Sequence, residues 1–216
     1  MGSVWEGVPL PLAMALRNRL HLRVAVETGT FRGDSAAALA PLFEQVVTIE
    51  RSPELAAAAA SRLRPFPNVT VIGGHSAEEI LRLGATLSRP FLAWLDAHWC
   101  TGGTGTDDEC PVLREIAALD LAPAAAGSCL LIDDARLFQG PPPPPHDHAA
   151  WPPLMDVIDA LRRRHSRYVT LLEDVIIASP LEARKTVDDY WLGRQSETAG
   201  KRSGFPGRLR RLFRRR

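Results

Sequence analysis

The sequence has few cysteines and no long apolar run, and both shortages exclude classes of protein. Cys100, Cys110 and Cys129 are its three cysteines, too few and too irregularly spaced for a disulfide framework. They are typical of a reducing compartment, and we expect a cytoplasmic protein. No apolar stretch approaches the roughly 20 residues of a membrane-spanning helix. The N-terminus also lacks the basic start and apolar centre of a secretory signal.

The small number of cysteines also disfavours a zinc site. His98, Cys100 and Cys110 are close in sequence, but their spacing matches no common zinc module. A fourth ligand is not evident either.

Acidic residues are missing from the C-terminal end. Residues 201–216 hold eight Lys and Arg, whereas the other 200 residues carry 18 Lys and Arg against 25 Asp and Glu, a net charge of −7. We predict one domain over residues 1–200 and a basic, disordered tail over residues 201–216. Nucleic acid is a disfavoured partner because the body is acidic. The tail is a candidate for weak contact with an anionic membrane or an acidic partner.

Strand-like and helix-like segments alternate along the body. This pattern predicts an α/β fold, a doubly wound, mostly parallel, Rossmann-like sheet of about seven strands. The last two strands lie close together around Glu173 and Asp174, which predicts an antiparallel edge hairpin. Strands are predicted at residues 23–28, 45–50, 69–73, 91–96, 128–133, 168–172 and 175–179, and helices at 34–42, 53–64, 77–83, 111–119 and 153–165.

An acid and a glycine-bearing turn follow the first apolar run. Glu27 ends this strand, Gly29 lets the backbone turn tightly beneath a ligand, and Gly33 precedes a helix whose free amides would face that ligand. Glu50 ends the second strand, where an acid can accept both hydroxyls of a ribose. The arrangement predicts a nucleoside-bearing cofactor.

The turn lacks the middle glycine of a dinucleotide site. A pyrophosphate requires G-x-G-x-x-G, but residues 29–33 read GTFRG, and Phe31 would crowd the ligand. S-adenosylmethionine has no phosphate and tolerates a looser turn, with Glu27 binding its amino acid end directly or through water. The pattern favours S-adenosylmethionine and leaves an NAD-dependent oxidoreductase as an alternative.

Five segments together resemble class I S-adenosylmethionine-dependent methyltransferases, and most of all the macrocin-type O-methyltransferase group. They are VETGTFRGDSAAAL, VVTIERSPE, LAWLDAHW, DDECPVLREI and CLLIDDARLF. The resemblance implies that the ribose binds Glu50 and that the methionine part lies on the first turn, at Glu27, Gly29, Thr30 and Gly33. It implies an adenine contact after the third strand, where His75 and Ser76 stand and His75 replaces the usual acid.

Carboxylates follow the fourth and fifth predicted strands. If these strands are neighbours, Asp96 and the pair Asp133 and Asp134 lie roughly 5 Å apart, and such crowding requires a compensating positive charge. Mg²⁺ suits oxygen ligands, and the resemblance implies a metal at the same residues. A metal there would lower the pKa of an acceptor hydroxyl. His98, two residues beyond Asp96, is the candidate general base, or else it orients Asp96.

Two loops keep alternative interpretations. The proline-rich residues 140–153 are a stiff connection or a substrate lid that presents His146 and His148. The acids at 107–109 precede a helix, which favours an interaction with the helix dipole over substrate contact.

These residues predict a methyltransferase that uses S-adenosylmethionine, with metal assistance, to methylate an oxygen of a small hydroxylated molecule such as a sugar, polyol or natural product. The basic tail favours a further alternative, a non-catalytic cofactor-binding or membrane-associated module.

Overall fold

The computed structural model describes residues 7–99 and 108–203. Its strands are β1 (Val24–Thr28), β2 (Gln45–Glu50), β3 (Val69–Gly73), β4 (Phe91–Leu95), β5 (Cys129–Ile132), β6 (Arg167–Leu172) and β7 (Val175–Pro180). Its α-helices are α1 (Leu10–Leu20), α2 (Asp34–Leu39), α3 (Pro53–Leu63), α4 (Ser76–Gly84), α5 (Val112–Leu119), α6 (Leu154–Arg163) and α7 (Arg184–Ser203). Among these described residues, no helix is long and apolar enough to cross a bilayer.

All strands belong to a single sheet with the order β3-β2-β1-β4-β5-β7-β6. Strands β1 to β5 run parallel, and β7 pairs antiparallel with both β5 and β6. The predicted fold class is therefore confirmed, including the antiparallel edge hairpin. The chain order reverses between β1 and β4, and ligands bind at such a switch point, beyond the carboxyl ends of the strands.

Helices cover both faces because the central strands are apolar on both sides. In β4, Phe91, Ala93 and Leu95 face the core beneath α4, α5 and α6, whereas Leu92 and Trp94 face the core beneath α1, α2, α3 and α7. All five of these side chains are buried. A strand of this kind appears in the sequence as an unbroken apolar run.

Helices α1 and α7 pack against each other, and neither was predicted from the sequence. Helix α7 reaches Ser203 and thus passes the predicted domain boundary at residue 200. The rest of the predicted tail lies outside the described residues.

Candidate functional site

The turn after β1 lies against the end of β4. Gly29 has φ +80°, and a Cβ atom at this position would lie 2.1 Å from the carbonyl oxygen of Asp96. Gly33 also has φ +80°, and it forms the N-cap of α2. Both predicted glycines therefore have the left-handed backbone that favours this residue.

Glu50 is held in place through both carboxylate oxygens. Its Oε2 accepts a hydrogen bond of 2.8 Å from the backbone N–H of Phe31, and its Oε1 accepts one of 2.9 Å from that of Ser52. Each oxygen keeps a free lone pair. The carboxylate is thus fixed at the end of β2 and can accept two further donors, such as the hydroxyls of a ribose.

Glu27 lies beneath the turn and is 1% exposed. Its Oε2 accepts a 2.6 Å hydrogen bond from Thr48, whose hydroxyl lies 2.5 Å from that of Thr30. Burial raises the pKa of Glu27 to about 8, against the opposing effect of the Thr48 hydrogen bond. The carboxyl therefore holds a proton near neutral pH. Thr30 belongs to this buried network.

A pocket with an empty volume of about 580 Å³ opens at the carboxyl ends of the central strands. Residues predicted from the sequence form much of its wall: Gly29, Glu50, His75, Ser76, Asp96 and His98. A second open pocket on the other side of the turn is lined by Gly29, Thr30 and Phe31.

His75 does not stand alone after β3. Its Nε2 lies 2.6 Å from Oδ2 of Asp108, which also pairs with Arg114 and lines the same pocket. Helix α5 begins at Val112, so Asp108 precedes it as predicted, and the interaction of Asp108 with the helix dipole stays a prediction. The Asp108 carboxylate also contacts the loop between β3 and α4.

The carboxylates at the end of β5 have a partner that the sequence analysis missed. Asp133, Asp134 and Asp174 each place one oxygen within 4.8 Å of the others, and Asp174 comes from the turn between β6 and β7. Asp96 is outside this group. The guanidinium of Arg136 lies 2.7 Å from Oδ1 of Asp134 and also pairs with Asp174. Part of the required positive charge therefore comes from the chain itself.

The carboxyl groups at the ends of β4 and β5 shift one another's pKa values through electrostatic repulsion. Burial raises the pKa of Asp133 to about 7, and the neighbouring Asp134 adds to the shift. Burial also raises the pKa of Asp96, with further contributions from Asp133 and Asp134. The predicted proximity of the two strand ends is confirmed, because β4 pairs with β5.

His98 is enclosed by aromatic rings. It stacks on Trp151 with ring centroids 5.4 Å apart and an angle of 9° between the planes, and its Nδ1 lies 3.6 Å from Oδ1 of Asp96. Burial lowers the pKa of His98 to about 4. The ring is therefore neutral at physiological pH and a weak base. This favours the prediction that His98 orients Asp96. Its catalytic role stays a prediction.

Glu109 ties the proline-rich loop to the site. Its carboxylate accepts hydrogen bonds from the indole N–H of Trp151 at 3.0 Å and from the backbone N–H of Asp147 at 3.1 Å. His146 packs edge-on against Trp151, whereas His148 lines a separate apolar pocket. The interaction of Glu109 with the dipole of α5 stays a prediction.

The residues considered for zinc do not form a described site. Burial raises the pKa of the Cys110 thiol to about 12. Cys100 lies outside the described residues.

Comparisons with known proteins give fold-level similarity. No family model matches the sequence, and no curated protein matches it. An O-methyltransferase from Streptomyces achromogenes involved in tomaymycin synthesis, solved with S-adenosylmethionine, is similar with a TM-score of 0.56 and 21% identity, over 81% of this chain and 80% of that one.

Two further structures were solved with S-adenosylhomocysteine. An O-methyltransferase from Bacillus cereus has a TM-score of 0.55 and 17% identity, over 79% of this chain and 80% of that one. A methyltransferase from Podospora anserina has a TM-score of 0.55 and 20% identity, over 80% of this chain and 78% of that one. The chain thus has the Rossmann-like fold found in these methyltransferases.

Proposed function

We propose that this protein is an S-adenosylmethionine-dependent methyltransferase that methylates an oxygen of a small hydroxylated molecule, such as a sugar, polyol or natural product. The observation that carries the proposal is the position of Glu50. Its carboxylate is fixed by two backbone amides at the end of β2, beside the Gly29 turn and the switch point of the sheet. This is where a doubly wound fold binds the ribose of a nucleoside cofactor.

The comparisons support the methyl donor and the acceptor atom to different degrees. Structures of similar fold contain S-adenosylmethionine or S-adenosylhomocysteine, and two of them are O-methyltransferases. The turn agrees with this donor, because Phe31 occupies the place where a pyrophosphate requires glycine. We propose transfer to oxygen because two of these proteins are O-methyltransferases.

Different residues of the pocket would bind the cofactor and the acceptor. When bound, S-adenosylmethionine supplies a methyl group on a positively charged sulfur. Glu50 would hold the ribose, and the turn above Glu27 would hold the amino acid end. Asp96 and His98 line the pocket at the end of β4. Asp96, whose pKa is raised by burial, would take up the proton of the acceptor hydroxyl, and His98 would orient Asp96. Much of the rate would come from this positioning.

We further propose that the carboxylates after β5 bind a divalent cation. Oxygen donors suit Mg²⁺, and Asp133, Asp134 and Asp174 bring three of them together. Arg136 already neutralises part of this charge, so the cation would share the group with its guanidinium. Such a cation would hold acceptor oxygens and lower the pKa of a hydroxyl.

Replacing Glu50 by Gln tests the cofactor. We expect the wild-type protein to bind S-adenosylmethionine and S-adenosylhomocysteine, and Glu50→Gln to bind both roughly 10- to 100-fold more weakly, since a hydrogen bond to a charged acceptor is lost. Isothermal titration calorimetry measures both affinities. Asp189→Asn, an exposed carboxylate on α7, is the matched control.

Two results would contradict the cofactor proposal. Folded wild-type protein that binds neither ligand would exclude a methyltransferase of this kind. Binding of NAD in their place would favour the oxidoreductase.

Replacing Asp133 by Ala tests the cation. We expect calorimetric titration to show Mg²⁺ binding to the wild-type protein and none to Asp133→Ala, because this buried aspartate supplies one of the three carboxylates. Asp189→Asn should bind like the wild type. Equal binding by wild type and Asp133→Ala would remove this residue from the site.

A further inference from the structure

The pocket has a direction that follows from the strand order. From β4 to β3 the sheet crosses β1 and β2, so the loops after β4 and β3 lie three strand spacings apart, or about 14 Å. Asp96 and His98 are at one end of this span, Glu50 is near its middle, and His75 and Ser76 are at the other end.

A bound nucleoside must follow this direction. If Glu50 holds the ribose and the Gly29 turn holds the amino acid arm, the base can extend only towards the loop after β3. This step rests on the proposed function. The wall that meets the base then consists of His75, Ser76, Asp108 and Pro111.

Asp108 provides the negatively charged acceptor in that wall. His75 contacts its Oδ2 at 2.6 Å, and since an ionised carboxylate only accepts hydrogen bonds, the proton lies on Nε2 of His75. Arg114 pairs with the same oxygen. Both contacts fix the carboxylate through Oδ2. Among the described residues none forms a hydrogen bond with Oδ1, which can therefore accept one from a ligand. The Asp108 side chain is 24% exposed.

From this geometry we infer that Asp108 selects the base of the cofactor by accepting a hydrogen bond from the exocyclic amine of adenine. His75 and Arg114 are positioning residues, because they fix the carboxylate from either side. The acid is thus supplied from the segment before α5 and not from the loop after β3, where His75 occupies the corresponding position. A base that carries an oxo group in place of the amine would present a second acceptor to Asp108, which repels it.

A comparison of two ligands tests this assignment. S-adenosylhomocysteine and S-inosylhomocysteine differ in the amine or oxo group of the base and in the hydrogen that the oxo form carries on the neighbouring ring nitrogen. We expect the wild-type protein to bind the adenine compound roughly 10- to 100-fold more tightly, the range for one hydrogen bond to a charged group. In Asp108→Asn the ratio should fall close to one or reverse, because an amide can donate to the oxo group. Asp189→Asn is the matched carboxylate-to-amide control and should keep the wild-type ratio.

The ratio of the affinities separates the possible outcomes. An Asp108→Asn protein that keeps the wild-type preference would overturn the inference and leave the proposed function intact. Equal weakening of both ligands in Asp108→Asn would also overturn it, because it would show that Asp108 only shapes the pocket. Wild-type protein that binds neither compound would overturn the proposed function, and the inference with it.

Discussion

Gly29→Ala is expected to lower the free energy of unfolding by about 3–5 kcal/mol and to abolish binding of S-adenosylhomocysteine. The added methyl group would lie 2.1 Å from a backbone oxygen of Asp96, at a residue with φ +80°. Neither problem can be relieved by rotating a side chain, because the obstacle is main chain. The turn must therefore move away from β4, and the pocket between them changes shape.

Urea denaturation measures the change in stability, and Gly193→Ala provides the control. Gly193 lies in α7, and a Cβ atom there would meet nothing within 4 Å. Alanine at this helical position should raise stability by about 0.5–1 kcal/mol. A Gly29→Ala protein as stable as the wild type would show that the turn does not press against β4.

Glu27→Gln is expected to make the protein more stable at alkaline pH. An acid whose pKa is higher in the folded state than in the unfolded state takes up protons on folding, so its contribution to stability declines as pH rises. For Glu27 the decline runs from pH 4.5 to about 8 and totals about 4–5 kcal/mol. Glutamine imitates the protonated carboxyl and does not ionise. The two proteins should therefore have similar stabilities near pH 4.5, and Glu27→Gln should be the more stable above pH 8.

The measurement is the difference in unfolding free energy between the two proteins at several pH values. Other buried carboxyls with raised pKa values, such as Glu115 and Asp133, are present in both proteins and cancel in the difference. The same substitution should weaken binding of S-adenosylmethionine, because the positively charged amino group of the ligand would favour ionisation of Glu27 and glutamine cannot ionise. A stability difference that is constant with pH would show that Glu27 ionises as an exposed carboxyl does.

The fold could be predicted because its strands are marked in the sequence. The predicted strands all exist, with ends within one residue, since short runs of Val, Ile and Leu separated by polar turns have few other structures available. Helix α3 was equally clear, because Ser52 caps it and Pro53 follows at the first helical position. Helix α7 was missed, since its many charged residues leave only a few apolar side chains to indicate a buried face.

Some residues of the candidate site could likewise be predicted from the sequence, and others could not. Glu50 and Asp96 could be predicted because the end of each strand fixes where the next residue lies. Asp108 and Asp174 could not, since their importance comes from partners far away in sequence. His75 and Asp108 are 33 residues apart, and Arg136 and Asp174 are 38 apart. No local pattern records such pairings, which exist only after the chain has folded.

The contact between the Gly29 turn and the backbone of Asp96 also limits how this protein can be redesigned. The Gly29 turn lies against the backbone at the β4 end, so neither can be reshaped without disturbing the other. The proline-rich loop at 140–153 contacts the β4 end through side chains, among them Trp151, which stacks on His98. A library aimed at a new acceptor should therefore vary that loop and leave the turn and the β4 end untouched.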